Sequence, residues 1–94
     1  MKIKYTSLIF REKSMYVSYC PELDVSSCGC SVDEARKNLL EAVGIFLEET
    51  KRMGTLNDVL KEAGYTPVEG KTGLWNSPDL ILTEKTELKF PSSG

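Results

Sequence analysis

The chain has 94 residues, 40% of them hydrophobic and 28% charged, which excludes disorder and leaves room for one domain whose folding buries roughly 60% of the unfolded surface. Twelve basic residues against fourteen acidic ones give a net charge of -2, so the excess of positive charge that binds a phosphate backbone is missing. The balance holds along the chain: residues 1–53 carry eight charges of each sign, and residues 54–94 carry four Lys against six Asp or Glu.

The opening MKIKYTSLIF places Ile3, Tyr5, Ser7 and Ile9 on one side of a period-two pattern, broken on the other side by Leu8 and Phe10, and predicts a strand. It lacks the continuous apolar block of a signal peptide or membrane span, so a cytoplasmic protein is expected. Arg11 to Ser14 is a charged connection, and Met15 to Cys20 has the β-branched and aromatic content of a second strand, antiparallel to the first. Pro21 ends it, because proline cannot donate to a ladder. Glu22, Leu23 and Asp24 form a turn before a third strand at Val25–Cys28, and Gly29 marks a bend.

Ser31 followed by Glu34 matches a capping box, which satisfies backbone N–H groups of a first helical turn. From Val32 the apolar residues Ala35, Leu39, Val43, Phe46 and Met53, widened by Leu40 and Leu47, give one buried helical face. Asp33/Lys37 and Glu48/Arg52 are spaced for ion pairs four apart. Gly44 is either a point of close approach or a surface glycine. Gly54 is a C-terminal cap, and Thr55 with Asp58 opens a second helix through Leu56, Val59, Leu60 and Ala63 that Gly64 stops. Residues 65–79 form an irregular loop around Trp75, pinned to the core if that ring is buried. Leu80–Thr83 is a predicted strand and Leu88–Phe90 a short one.

The fold class is therefore α+β: a three-stranded antiparallel sheet, a main helix, a short second helix and one or more C-terminal strands. Residues 1–90 form a single domain, with a core at 1–53 and a helix-loop-strand extension at 54–90, and residues 91–94 form a flexible tail.

Three cysteines and no histidine do not complete a four-ligand zinc site from thiols, and nothing in the spacing demands Asp24 or Asp33 as a fourth ligand. An odd number of thiols makes no closed disulfide framework. Cys30, just before the helix cap, is the most reactive candidate, although the Cys-x-x-Cys arrangement that activates thiols is absent. No histidine base, nucleophile elbow or phosphate loop is present. Glu22 and Asp24 either share a site or are plain turn carboxylates. Catalysis, metal and cofactor are not expected.

The run Tyr16-Val17-Ser18-Tyr19-Cys20-Pro21-Glu22-Leu23, then Ser27-Cys28-Gly29, then Ser31-Val32-Asp33-Glu34-Ala35 and Asn38-Leu39, resembles the HicB family of antitoxins. The likeness is close over about residues 2–53, and Leu56 to Leu82 more loosely resembles extensions on some stand-alone members. It implies a partial ribonuclease-H-like fold without ribonuclease catalysis, and a prokaryotic toxin–antitoxin role in which the protein binds and silences a small basic HicA-type toxin that cleaves messenger RNA. It also implies a homo-oligomer. Tyr19, Pro21, Glu22, Leu23 and Asp24 are the candidate partner-binding residues; Gly29, Ser31 and Glu34 are the structural corner and cap. The sequence departs from the family in carrying Cys28 and Cys30 beside the glycine, and in lacking the DNA-binding module many members carry, so direct DNA binding is not expected. The competing reading is a free-standing HicB-like domain that binds another protein or a small ligand, with no toxin.

Overall fold

The computed structural model describes residues 1–91. Its elements are β1 (Leu8–Glu12), β2 (Met15–Cys20), β3 (Val25–Gly29), α1 (Val32–Arg52), α2 (Leu56–Glu62), β4 (Thr66–Pro67) and β5 (Trp75–Asn76). The first three strands form an antiparallel sheet in the order β1-β2-β3. Ile9, Ser18 and Ser27 stand opposite one another in one row, and Phe10, Val17 and Cys28 in the next.

The hairpin is tighter than the sequence predicts. Arg11 and Glu12 belong to β1, and Lys13-Ser14 alone makes the turn, with Lys13 in the left-handed region at φ 59°. Residues 3–7 are not laddered; instead Lys2 forms an isolated parallel bridge with Leu74 and donates its N–H to the Gly73 carbonyl at 3.0 Å. The chain start is thus held by the C-terminal part of the fold.

Ser31 caps α1 from an extended conformation (φ -142°, ψ 165°), its Oγ accepting the Glu34 N–H at 3.1 Å. Glu34 returns a carboxylate oxygen to the Cys30 N–H at 3.1 Å, one residue before the cap itself. α1 lies over β3 and β2 and barely reaches β1. Gly29 sets that spacing: a Cβ there would sit 2.6 Å from the Ala35 backbone nitrogen. Glycine is needed at this bend for closeness rather than for an unusual φ.

Ala35, Leu39 and Val43 form the buried stripe of α1, half-covered Phe46 and Leu47 extend it, and Thr50 completes it, whereas Leu40 and Met53 are exposed. The stripe is narrower than the sequence implies because the helix has only one sheet face and α2 to cover it. Its exposed ion pairs are Asp33–Arg36 and Glu49–Arg52, three residues apart instead of four. A Cβ added at Gly44 would meet nothing within 4 Å, so no close approach inside the chain explains this glycine.

Both helices end in Schellman motifs. The Thr55 N–H reaches the Thr50 carbonyl and the Gly54 N–H that of Lys51; Tyr65 and Gly64 repeat the pattern on Leu60 and Lys61. Each needs a left-handed residue, supplied by Gly54 (φ 76°) and Gly64 (φ 93°). Thr55 makes no side-chain cap; its hydroxyl turns back to the Thr50 carbonyl at 3.4 Å.

Leu60 and Tyr65 share one core with Cys20, Leu23, Leu39 and Val43, so the 54–76 segment completes the interior of the body. Residues 65–79, expected as an irregular loop, hold the two-residue strands β4 and β5, and Trp75 is half-buried against the core. Leu80–Thr83 and Leu88–Phe90 are not strands: from Ser77 to Pro91 the chain has no regular structure, and Leu80, Ile81, Leu82, Leu88 and Phe90 are 58–88% exposed. This segment draws the molecule out to 57 × 30 × 23 Å with a radius of gyration of 16.4 Å, against about 12 Å for a fully folded-in chain of this length. Of the predicted tail 91–94, residues 92–94 lie outside the described residues. No helix among the described residues is long and apolar enough to cross a membrane.

Candidate functional site

The candidate residues occupy the end of β2 and the turn into β3, and two of the five, Glu22 and Leu23, face inward. Leu23 is a core residue at 8% exposure. Glu22 is half-buried, and its carboxylate accepts the Thr6 N–H at 2.9 and 3.0 Å and the Thr6 hydroxyl at 2.6 Å. The Cys20 thiol, fully buried, points at the same carboxylate at 3.5 Å. The turn therefore clamps the N-terminal segment to the sheet. Asp24, at φ 56°, is exposed and accepts the Tyr19 hydroxyl at 2.8 Å, and Pro21 is exposed beside it. Of the five, Pro21, Asp24 and the half-buried Tyr19 offer surface to a partner.

Gly29, Ser31 and Glu34 come together as the corner and cap, with the Asn38 amide donating to the Cys28 carbonyl at 2.8 Å. Cys28 and Cys30 are exposed on either side of Gly29. Among the described residues no three His, Cys, Asp or Glu converge as a metal site.

Tyr5, Tyr19, Cys20, Glu22 and Tyr65 have shifted proton affinities, and four of them surround the Glu22 clamp. Burial pushes the Cys20 thiol up to about 11, helped by the Glu22 charge. Burial likewise raises Tyr5, and burial with the Glu22 charge raises Tyr65, whose hydroxyl donates to the Lys4 carbonyl at 2.5 Å. Burial pushes Glu22 upward too, but the hydrogen bonds from Thr6 outweigh it and hold the carboxyl below its usual range. Tyr19 is raised by its hydrogen bond to Asp24. Every shift moves the group away from neutral pH.

The sheet also has a surface that the motif does not name. Residues opposite in an antiparallel ladder share a face, and Ser18, Cys20 and Gly29 face α1. The other face carries Leu8 opposite Tyr19, Phe10 opposite Val17, and Met15; Phe10 is 55% exposed and no element lies over it. The signal for this surface was the break in polarity at Leu8 and Phe10.

No family model, curated protein or solved structure matches this chain.

Proposed function

We propose that this chain is a non-catalytic, HicB-like antitoxin that binds and neutralises a small basic HicA-type toxin. The observation that carries the reading is the corner from Tyr16 to Leu39. The residues that bear the resemblance fold as strand, turn, strand, bend and capped helix, and they surround groups held in unreactive protonation states. The parallel bridge of Lys2 with Leu74 supports a partial ribonuclease-H-like arrangement, in which a strand after the helix returns beside the first. The apolar sheet face supplies binding area, and Asp24 at its border attracts a basic partner mainly by raising encounter rate and specificity.

The test is co-expression with an adjacent gene for a small basic protein. The expected result is co-purification and relief of growth arrest, with Phe10→Lys abolishing both and Asp24→Lys weakening the complex more at low salt than at high. Failure of the two folded proteins to associate favours the second reading, a free-standing HicB-like domain with another protein or small ligand. That reading draws on the groove of about 980 Å³ between the chain start and the β4–β5 hairpin, bordered by Lys2, Val68 and Trp75.

A further inference from the structure

Residues 80–90 carry the pattern of a half-buried strand and bury almost nothing. Leu80, Leu82, Leu88 and Phe90 fall on one side of a period-two alternation, interrupted by Glu84 and Thr86, with Ile81, Thr83, Lys85, Glu87 and Lys89 on the other. In the single chain these apolar side chains lie in solvent. The sheet meanwhile has an uncovered edge. At β3 the Asn38 amide occupies the Cys28 carbonyl, whereas no described residue hydrogen-bonds to β1 from outside the sheet. Such an edge is a template for another strand.

We infer that residues 79–84 of one copy add as an antiparallel strand to the outer edge of β1 in a second copy, reciprocally, to form a two-fold dimer. One register sets opposite charges, apolar residues and hydroxyls against one another: Asp79 opposite Arg11, Leu80 opposite Phe10, Ile81 opposite Ile9, Leu82 opposite Leu8 and Thr83 opposite Ser7. The charges are complementary and the apolar rows of tail and sheet become continuous. The chain's own tail cannot take this register. Pro78, Asp79 and Leu80 share a cleft of about 200 Å³ with Pro21 and Glu22, and Glu22 is bonded to Thr6, so the tail leaves the body at the Thr6 end of β1. Asp79 would have to start at Arg11, five residues or about 17 Å further along. From where it leaves, the tail could run beside its own β1 only in parallel, which sets Leu80 by Leu8 and Glu84 by Glu12, a like-charge pair. Strand exchange between copies removes the conflict.

This inference specifies how copies associate and rests on the tail and the edge, not on any toxin; its failure would show as a monomer, that of the antitoxin reading as a missing complex. Sedimentation equilibrium on the full chain, up to about 1 mM, is the test, and a dimer is expected. Ile81→Pro with Leu82→Pro removes a ladder N–H whichever of the two faces β1, and weakens association at least about tenfold. Arg11→Asp or Asp79→Arg alone weakens it roughly 2- to 30-fold, two pairs being lost per dimer, and the two combined restore it. A chain that stays monomeric, a dimer indifferent to the prolines, or a charge swap no tighter than its single variants would overturn the inference.

Discussion

The corner at Tyr19–Ala35 and the segment at Asp79–Phe90 are opposites in how they use their residues. The corner holds three Ser and three Cys with a Gly and a Pro, poor material for a core, yet several of its polar groups have a partner within the chain: Glu22 with Thr6, Tyr19 with Asp24, Ser31 with Glu34, Asn38 with Cys28. The C-terminal segment has the stronger strand composition and makes none of these bonds. The Tyr19–Asp24 turn and the Ser31–Glu34 cap are satisfied by residues three to five positions away, so such features form wherever their sequence occurs. A strand is half a structure, and forms only where an edge is presented to it.

The largest effect that sharpens this contrast comes from paired leucine truncations. Leu39→Ala, at 0% exposure, should lower the unfolding free energy by about 3 kcal/mol in urea titrations. Leu82→Ala, measured at concentrations too low for association, should change it by less than about 0.5 kcal/mol. Equal losses at both sites would mean that the tail is packed in the single chain. Next comes Gly29→Ala, which forces a methyl against the first turn of α1 and should cost about 2 kcal/mol; the neutral control is Gly44→Ala, where a methyl meets nothing and helix propensity favours alanine by about 1 kcal/mol. A smaller loss, about 1 kcal/mol, is expected for Tyr65→Phe, which removes the bond to the Lys4 carbonyl and would lower the melting temperature by a few degrees.

The smallest effect at neutral pH is a dependence on acidity. Glu22 titrates lower in the folded chain than its ordinary value of 4.5, so the unfolded chain binds its proton first. The resulting stability is fully present above pH 4.5 and fades as pH falls through the lower folded value. Glu22→Gln should therefore flatten the acid limb of a stability–pH curve, with the two proteins converging in acid. Parallel acid limbs would remove Glu22 from the account of how the corner holds the chain start.

Legibility in the sequence followed the same division. The Ser31/Glu34 cap, the Gly54 and Gly64 stops, the Pro21 break and the second and third strands were all readable, because each depends on residues close in sequence, whereas the first strand, read from Ile3, is laddered only from Leu8. Arg11 and Glu12 looked like a loop, since an edge strand can keep charged side chains in water and still pair. The strand read at Leu80–Thr83 had the right alternation, but the alternation says nothing about where a neighbour lies. β4 and β5 were hidden by the surrounding Pro and Gly residues, and their pairing across an intervening loop leaves no periodic trace. At the candidate site, Glu22 and Asp24 look equivalent on either side of Leu23. Only the fold shows that one is spent on Thr6 and the other faces solvent.

Two of the ties that hold residues 2 to 6, Tyr65 to Lys4 and Lys2 to Gly73, have a consequence for synthesis. Lys2 and Lys4 lack these two partners until residues 65 to 73 emerge. The wait from Lys4 to Tyr65 spans 61 positions, or roughly 3 to 12 s at ordinary elongation rates. During it the hairpin and α1 can form and Glu22 can hold Thr6, while the Lys4 carbonyl and the Lys2 N–H still lack their later partners. Residues 2 to 4 therefore gain their last ties only after the middle of the chain has been made.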